Sequence, residues 1–590
     1  MHYTREKADV VIVGLGWSGS LMAEELTRAG LNVVAIDRGA WEQAHRNYPP
    51  NITADELRYG VRREALRPPG VETLTFRNAP SETALPGRDW NSWQMGNSVG
   101  GAGKHWAANA WRFSPADFQM ATRVRERYAG MPLADGLILQ DWGVSYDDLE
   151  PHYDRFEKIA GISGKAGVLD GHAVAGGNPF EGSRSSEYPT PPLERSHWNE
   201  LFHTATQRMG YHPFPIPAGT LGAPYTNPLG INLAPYTYCG YCGFYDCGNW
   251  SKSSPNACVI PALMDRHNFT LLTECTVLRV EKLRADHRVS GVTFLDSAGG
   301  VGFQPADIVV IAAYQLDNVR LLLLSGIGQP YDPANRSGTL GRAYSYQTMS
   351  YGFLYFDDEY MNPFISTGAL STQIDDFNGD NFDHTGLGFI GGAGIQALSD
   401  QGTPIGMADR IPPGTRQWGS EWKKAFRHSY QNYAKIQGQG TSYSHADSYL
   451  SLDPTYRDAN GLPLLRMTFD YNENDRRMAE FIRLKIEDIC RELGARSWET
   501  VAFPAQHNSP FRAYDSSHTI GGAVMGSDPG TSVLNPFQQH WDAHNLFVLG
   551  ASSFPNNAGY NPTGTLCALA LWTARAIVGD YLRQPRPLVS

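Results

Sequence analysis

Val10-Val11-Ile12-Val13-Gly14-Leu15-Gly16-Trp17-Ser18-Gly19 reads as a strand running straight into a glycine-rich turn. Four consecutive apolar, β-branched residues suit a strand buried on both faces, as in a parallel sheet. Beyond the turn, Leu21, Met22, Leu26 and Ala29 recur at helical spacing as far as Gly30. Val33-Val34-Ala35-Ile36 then forms a second strand that ends in Asp37. The order strand, turn, helix, strand, acid is that of a dinucleotide-binding βαβ unit. Gly14, Gly16 and Gly19 permit a tight turn and close approach of a pyrophosphate, the helix start offers backbone donors, and Asp37 can bind ribose hydroxyls. The pattern does not separate NAD from FAD.

At 590 residues the chain exceeds a single core, so two or more large substructures are expected. With 49 basic and 60 acidic residues the net charge is −11. That argues against nucleic acid, which calls for a basic stripe. Fourteen Trp and 29 Tyr suit either sugar-binding clefts or large cores. No run of about 18 apolar residues predicts a transmembrane helix. Residues 1–9 carry neither an apolar stretch nor twin arginine, so no export signal is expected in them.

A second glycine-rich stretch, Gly100-Gly101-Ala102-Gly103-Lys104-His105-Trp106, predicts another close backbone approach to a ligand. It resembles the Gly-Gly segment of the glucose–methanol–choline (GMC) oxidoreductases, an FAD-dependent family. In some members a His at the position of His105 is covalently joined to the flavin; otherwise His105 hydrogen-bonds the cofactor or packs. Two more segments resemble that family: Ile308-Val309-Val310-Ile311-Ala312-Ala313 with the helix pattern from Leu316 to Gly328, and Leu546 to Ser552, a late strand whose end, at Gly550 and Ala551, lies against the flavin. This return to the cofactor favours FAD over NAD.

The same resemblance aligns His518, in His-Thr-Ile-Gly-Gly-Ala-Val-Met-Gly, with the family's catalytic histidine, although many relatives have Pro and a Gly-Thr pair in this segment. Asn561, further on in Gly-Tyr-Asn-Pro-Thr-Gly, matches the Asn that some members pair with it. An imidazole suits removal of a hydroxyl proton. Asn561 can hold the oxygen as charge develops on it.

Cys239, Cys242, Cys247 and Cys258 cluster in one short stretch of the chain. Structural zinc, disulfides and an iron–sulfur cluster are all compatible with such a loop. Cys275, Cys490 and Cys567 read as core residues. The chain as a whole resembles the flavoprotein subunits of gluconate 2-dehydrogenases and related bacterial sugar dehydrogenases. That resemblance implies a 3Fe-4S cluster held by Cys239, Cys242 and Cys247. It also implies a sugar or sugar-acid substrate oxidised at a secondary hydroxyl, a small subunit carrying the export signal and a membrane multihaem cytochrome c as partners. A location on the periplasmic side of the inner membrane would follow, or a cytoplasmic one without those partners. A glycoside 3-dehydrogenase and a pyranose-type oxidase are the alternatives. Arg512 is a candidate for an anionic substrate, against a plain surface or packing role.

The expected fold class is α/β: a discontinuous, Rossmann-like FAD-binding domain plus a substrate domain with a mainly antiparallel sheet and a Cys-rich loop. The FAD domain is expected over 1–160, 260–345 and 510–590. A loop-rich insertion with the Cys cluster is expected over 161–259, and the substrate domain over 346–509. Within these, Tyr351–Phe356 reads as a strand, Asp475–Arg491 as a helix and Ala166–Pro192 as long surface loops.

Overall fold

The computed structural model describes residues 2–42, 66–67, 73–87, 95–240, 246–283, 287–365, 369–399, 405–508 and 518–589. Cys242 and Arg512 lie outside them.

The strand Ala8–Val13 is central in a nine-stranded sheet, between Val33–Ile36 and the long strand Val301–Ile311. All three run parallel, with Val10 opposite both Val33 and Ile308. Val10, Val11 and Ile12 have no exposed surface, because one core cluster packs on each face of the sheet. Val301–Ile311 changes neighbours along its length. Its first half pairs antiparallel with Arg288–Leu295, its second parallel with Ala8–Val13 and with Ala543–Val548. The last of these strands brings the chain's C-terminal region back beside the glycine turn. On one face the helix Trp17–Arg28 packs on Thr563–Ala576, which packs on Tyr146–Ala160. Tyr146–Ala160 begins with a reciprocal Ser145–Asp148 capping box and ends at Gly161 in the left-handed region, φ 68°.

A six-stranded sheet, antiparallel throughout, stands on the other side of the cavity. Thr348–Tyr355 and Tyr433–Gly440 are neighbouring inner strands of it. The helix Glu473–Leu493 covers one of its faces through Met478, Ile482, Ile486 and Ile489. Side chains alternate along a strand. Ile436 and Gly438 therefore face that helix, and a Cβ at Gly438 would lie 2.5 Å from Ile482. Lys435, Gln437 and Gln439 point the other way, into the cavity. Strand pairing crosses the segments read from the sequence: Phe214–Pro215 is an edge strand of this sheet, and Leu74–Arg77 pairs with Pro463–Thr468. Ala166–Pro192 holds one two-residue strand pair but is not purely a surface loop, because Arg184 within it is buried. No helix of the described residues is long and apolar enough to cross a membrane.

Candidate active site

A cavity of about 640 Å³ runs from the glycine turn to His518 and Asn561, between the two sheets. At its nucleotide end the three glycines do different work. A Cβ on Gly14, whose φ is +90°, would lie 2.6 Å from the Ala312 carbonyl oxygen, and one on Gly19 would lie 2.1 Å from that of Gly14. These two let backbones touch. Gly16 lines the cavity, and a Cβ there would meet nothing closer than 3.7 Å. Its missing side chain leaves room for a ligand. The helix Trp17–Arg28 has Gly16 as N-cap and no side-chain cap, so its first N–H groups are available to an anion. Asp37 lines the cavity, but it also shapes the turn, accepting from Leu15 N at 2.9 Å and Gly39 N at 2.8 Å. Burial pushes its carboxyl up, only partly offset by those two bonds. Each oxygen keeps a second lone pair for a ribose hydroxyl.

Gly100 does not line the cavity. It packs under Asn256, whose Oδ1 a Cβ would overlap at 1.8 Å. Gly101 and His105 do line it, His105 at the end of the short helix Ala102–His105 with 3% of its surface exposed. Trp106, next in the chain, donates from its indole to the Ser253 carbonyl at 2.8 Å, while Lys252 donates to the Trp106 carbonyl at 2.8 Å. The loop after the cysteines is thereby tied to the back of the His105 segment. Beside the glycine turn, Ala543–Val548 delivers Leu549, Gly550 and Ala551 to the cavity wall. The N-terminus of Thr563–Ala576, with its partial positive charge, lies beside them through Pro562 and Thr563.

The structure brings the His518 and Asn561 side chains together. Asn561 Nδ2 is 3.1 Å from His518 Nε2. The other ring nitrogen, Nδ1, is 2.7 Å from Gln347 Oε1. The amide of Asn561 is turned by donors on its oxygen, Gln439 Nε2 at 3.3 Å and Asn109 Nδ2 at 3.4 Å. Burial pulls the His518 imidazole down to about 4, so the ring is neutral at physiological pH and able to accept a proton. His507, in contrast, is exposed and contacts Arg476, and His540 is buried in the core.

Gln347 and Asn109 carry no signal in a sequence read alone. Lys435, Gln437 and Gln439 carry a weak one, a polar residue at every second position of a strand whose intervening residues are apolar or glycine. Arg410 lines the cavity on the same side. The ammonium of Lys435 lies 4.7 Å from the centre of the Tyr351 ring, and the Arg410 guanidinium 5.1 Å from that of Phe353.

Cys239 and Cys247 are partly exposed, and the Cys247 thiol is 3.3 Å from Ser251 Oγ. Among the described residues, no three His, Cys, Asp or Glu side chains are grouped to hold a metal ion. Cys258 is fully buried in the short helix Pro255–Cys258, and burial pushes its thiol up to about 12. It is a core thiol, as are Cys490 and Cys567; Cys275 is buried and also borders the cavity.

Two GMC oxidoreductase models match the chain, one over residues 191–345 and one over 444–570. The gluconate 2-dehydrogenase flavoprotein of Pantoea cypripedii is 41% identical over 99% of this chain and 95% of that protein. The chain belongs to the GMC oxidoreductase family. The fructose dehydrogenase large subunit of Gluconobacter japonicus is 25% identical over 97% of this chain and 98% of that one. Pyridoxine 4-oxidase from Mesorbium loti shares the fold, with a TM-score of 0.60 at 18% identity, covering 98% of this chain and all of that one. Membership makes the chain an FAD-dependent oxidoreductase acting on CH–OH groups. The cavity fits that cofactor: Gly16 leaves space where a side chain would stand, the uncapped helix faces it, and Gly101, His105, Gly550 and Ala551 line its wall.

Proposed function

We propose that this chain oxidises a secondary hydroxyl of a sugar acid to a ketone, with gluconate oxidised at C2 as the leading reaction. The observation that carries this is the convergence of His518 Nε2 and Asn561 Nδ2 at 3.1 Å on the cavity. A substrate hydroxyl inserted between them exchanges that one hydrogen bond for two. It donates to His518 Nε2 and accepts from Asn561 Nδ2. His518 takes the hydroxyl proton, while Asn561 holds the oxygen as negative charge grows on it. FAD, when bound, supplies the acceptor for the hydride that leaves the same carbon. His518 is already unprotonated, so no prior proton loss is required.

The acid specificity is supported by Lys435 and Arg410, which give the sheet wall of the cavity positive charge, and by the 41% identical relative named for gluconate. His105 is the candidate for covalent attachment to the flavin, since it is buried against the cavity in the segment after Gly101. Cys239, Cys242 and Cys247 are the candidates to hold a 3Fe-4S cluster that passes electrons singly to a one-electron acceptor. The partial exposure of Cys239 and Cys247 and the tie from Lys252 to Trp106 support that reading. A small export-competent subunit and a membrane cytochrome c would complete a periplasmic enzyme; the relative named as a large subunit supports a multisubunit assembly.

The test is an anaerobic spectrum of the purified chain with iron analysis, titrated with gluconate and then with neutral glycosides. Bleaching of the flavin by gluconate, with about three irons per chain, is the expected result. The variant Lys435→Met should then raise KM for gluconate about tenfold or more, the scale of one charged hydrogen bond, and leave neutral substrates nearly unaffected. Bleaching by neutral glycosides alone would overturn the acid specificity. Flavin without iron, reoxidised rapidly by air, would make the protein an oxidase.

A further inference from the structure

The Gln347 amide beside His518 points in one direction, and that direction is set by backbone. Gln347 is fully buried. Its Nε2 donates to two carbonyl oxygens, Ala558 at 2.6 Å and Tyr560 at 2.8 Å. A peptide carbonyl only accepts, so an amide turned the other way would set its oxygen against two oxygens and lose two hydrogen bonds in a dry site. Gln347 Oε1 is therefore the atom that faces the histidine, 2.7 Å from Nδ1. An amide oxygen only accepts as well, so Nδ1 must carry the ring's hydrogen. In the neutral ring this leaves the lone pair on Nε2, the nitrogen beside Asn561 on the cavity.

The backbone holds both partners in register. The Gln347 carbonyl accepts from the Tyr471 hydroxyl at 2.8 Å, and that of His518 accepts from Asn557 Nδ2 at 3.0 Å. Asn557 Nδ2 also donates to the Tyr346 carbonyl at 2.8 Å, joining the two stretches of chain that carry the pair. Among the described residues no charged side chain acts on the His518 ring; burial is the cause of its low proton affinity.

We propose that Gln347 is a positioning residue that selects the Nδ1–H tautomer of His518 and so aims the basic lone pair of Nε2 at the substrate hydroxyl. This rests on the reading of His518 as the base. With the other tautomer, Nε2–H would face the substrate as a donor and no group would be placed to take the proton.

Two measurements on the FAD-loaded enzyme test it. The first needs no variant at position 347. In protein labelled with ¹⁵N-histidine, the His518 resonances, assigned by their loss in His518→Ala, should show a protonated Nδ1 and a bare Nε2 at neutral pH; a protonated Nε2 overturns the proposal. The second is kinetic. Gln347→Leu removes the acceptor and should lower kcat about 100-fold, within the range of general-base contributions, with KM changed less than about threefold. Gln347→Glu restores an oxygen facing Nδ1 and should recover at least about a tenth of the wild-type kcat. Where it is ionised its charge favours the imidazolium, so the acid limb of its pH profile should move to higher pH. Flavin content and thermal midpoint confirm that each variant is loaded and folded. A loaded Leu variant with wild-type kcat, or a Glu variant no better than Leu, overturns the proposal. His518→Ala separates the two levels. If it keeps wild-type kcat, the base assignment itself fails; if it is inactive while the Gln347 variants are normal, only the tautomer selection fails.

Discussion

His518 lines the cavity half-buried, and the burial that lowers the proton affinity of its ring has consequences for pH. Its proton affinity is lowered to about 4 from an ordinary imidazole near 6.5. The folded enzyme therefore keeps this ring neutral through a range in which the unfolded chain would protonate it. Between about pH 6.5 and 4 the unfolded state binds the extra proton, so the ring's contribution to stability falls as the pH drops through that window. Activity follows a different course. With His518 as the proposed base, the acid limb of kcat/KM should lie nearer 4 than 6.5, since the ring stays unprotonated until its folded value is reached. The measurement is the pH profile of flavin reduction with a neutral polyol, because the carboxyl of a sugar acid itself titrates near about 3.5. A limb at 6.5 would show a solvated histidine and remove the argument from burial.

At the scale of elements, the glycine turn and its helix divide into parts that serve the fold and parts that serve the ligand. Gly19 has the Gly14 carbonyl 2.1 Å from where a Cβ would stand, and neither backbone can yield without opening the turn. Gly19→Ala should lower the thermal midpoint of the cofactor-free chain as well as abolish flavin binding. Gly16→Ala meets nothing within 3.7 Å in the chain itself, so the cofactor-free midpoint should stay close to wild type while flavin retention falls. Equal midpoints for the two cofactor-free variants would contradict this division. The turn is legible in sequence because its neighbours are local: a strand, a helix and an acid follow one another without interruption from Val10 to Asp37. The antiparallel sheet is legible at Thr348–Tyr355 and the helix at Glu473–Leu493, each close to the expected bounds, because alternation and amphipathic spacing are local too. His518 and Asn561 are found through the family pattern around each. Gln347 is not found, because its role depends on the carbonyls of Ala558 and Tyr560, far along the chain, and an isolated glutamine has no periodicity to betray it.

Over the whole molecule, long-range pairing makes one cavity from segments scattered along the chain, and a buried ion triad braces that arrangement. Glu157, on the helix Tyr146–Ala160, pairs with Arg112 at 2.8 Å and with Arg184 at 2.5 Å, and all three are nearly sealed from solvent. Arg112 closely follows Asn109, which touches Asn561, and directly follows Trp111, which stacks on Tyr560 at 4.8 Å. Burial alone would push the Glu157 carboxyl up, but the two guanidinium groups overcome it and hold the group below the usual carboxylate range. Removing this charge leaves the two buried guanidinium groups with only their outer partners, Glu150 at 3.0 Å from Arg112 and Glu181 at 3.9 Å from Arg184. Glu157→Gln should therefore destabilise the protein by about 3–5 kcal/mol at neutral pH, the range for breaking a buried pair from one side. The sign with pH follows from the lowered carboxyl. Its stabilisation is fully present above the unfolded value near 4.3 and is lost as pH falls through the lower, folded value. The gap between wild type and Glu157→Gln should thus be widest near pH 7 and narrow below about pH 4, where the wild-type triad itself begins to protonate. Thermal midpoints of both proteins across pH 3.5 to 8 would show it. A gap that stays constant with pH would mean that the glutamate acts through shape and hydrogen bonding, with its charge contributing nothing.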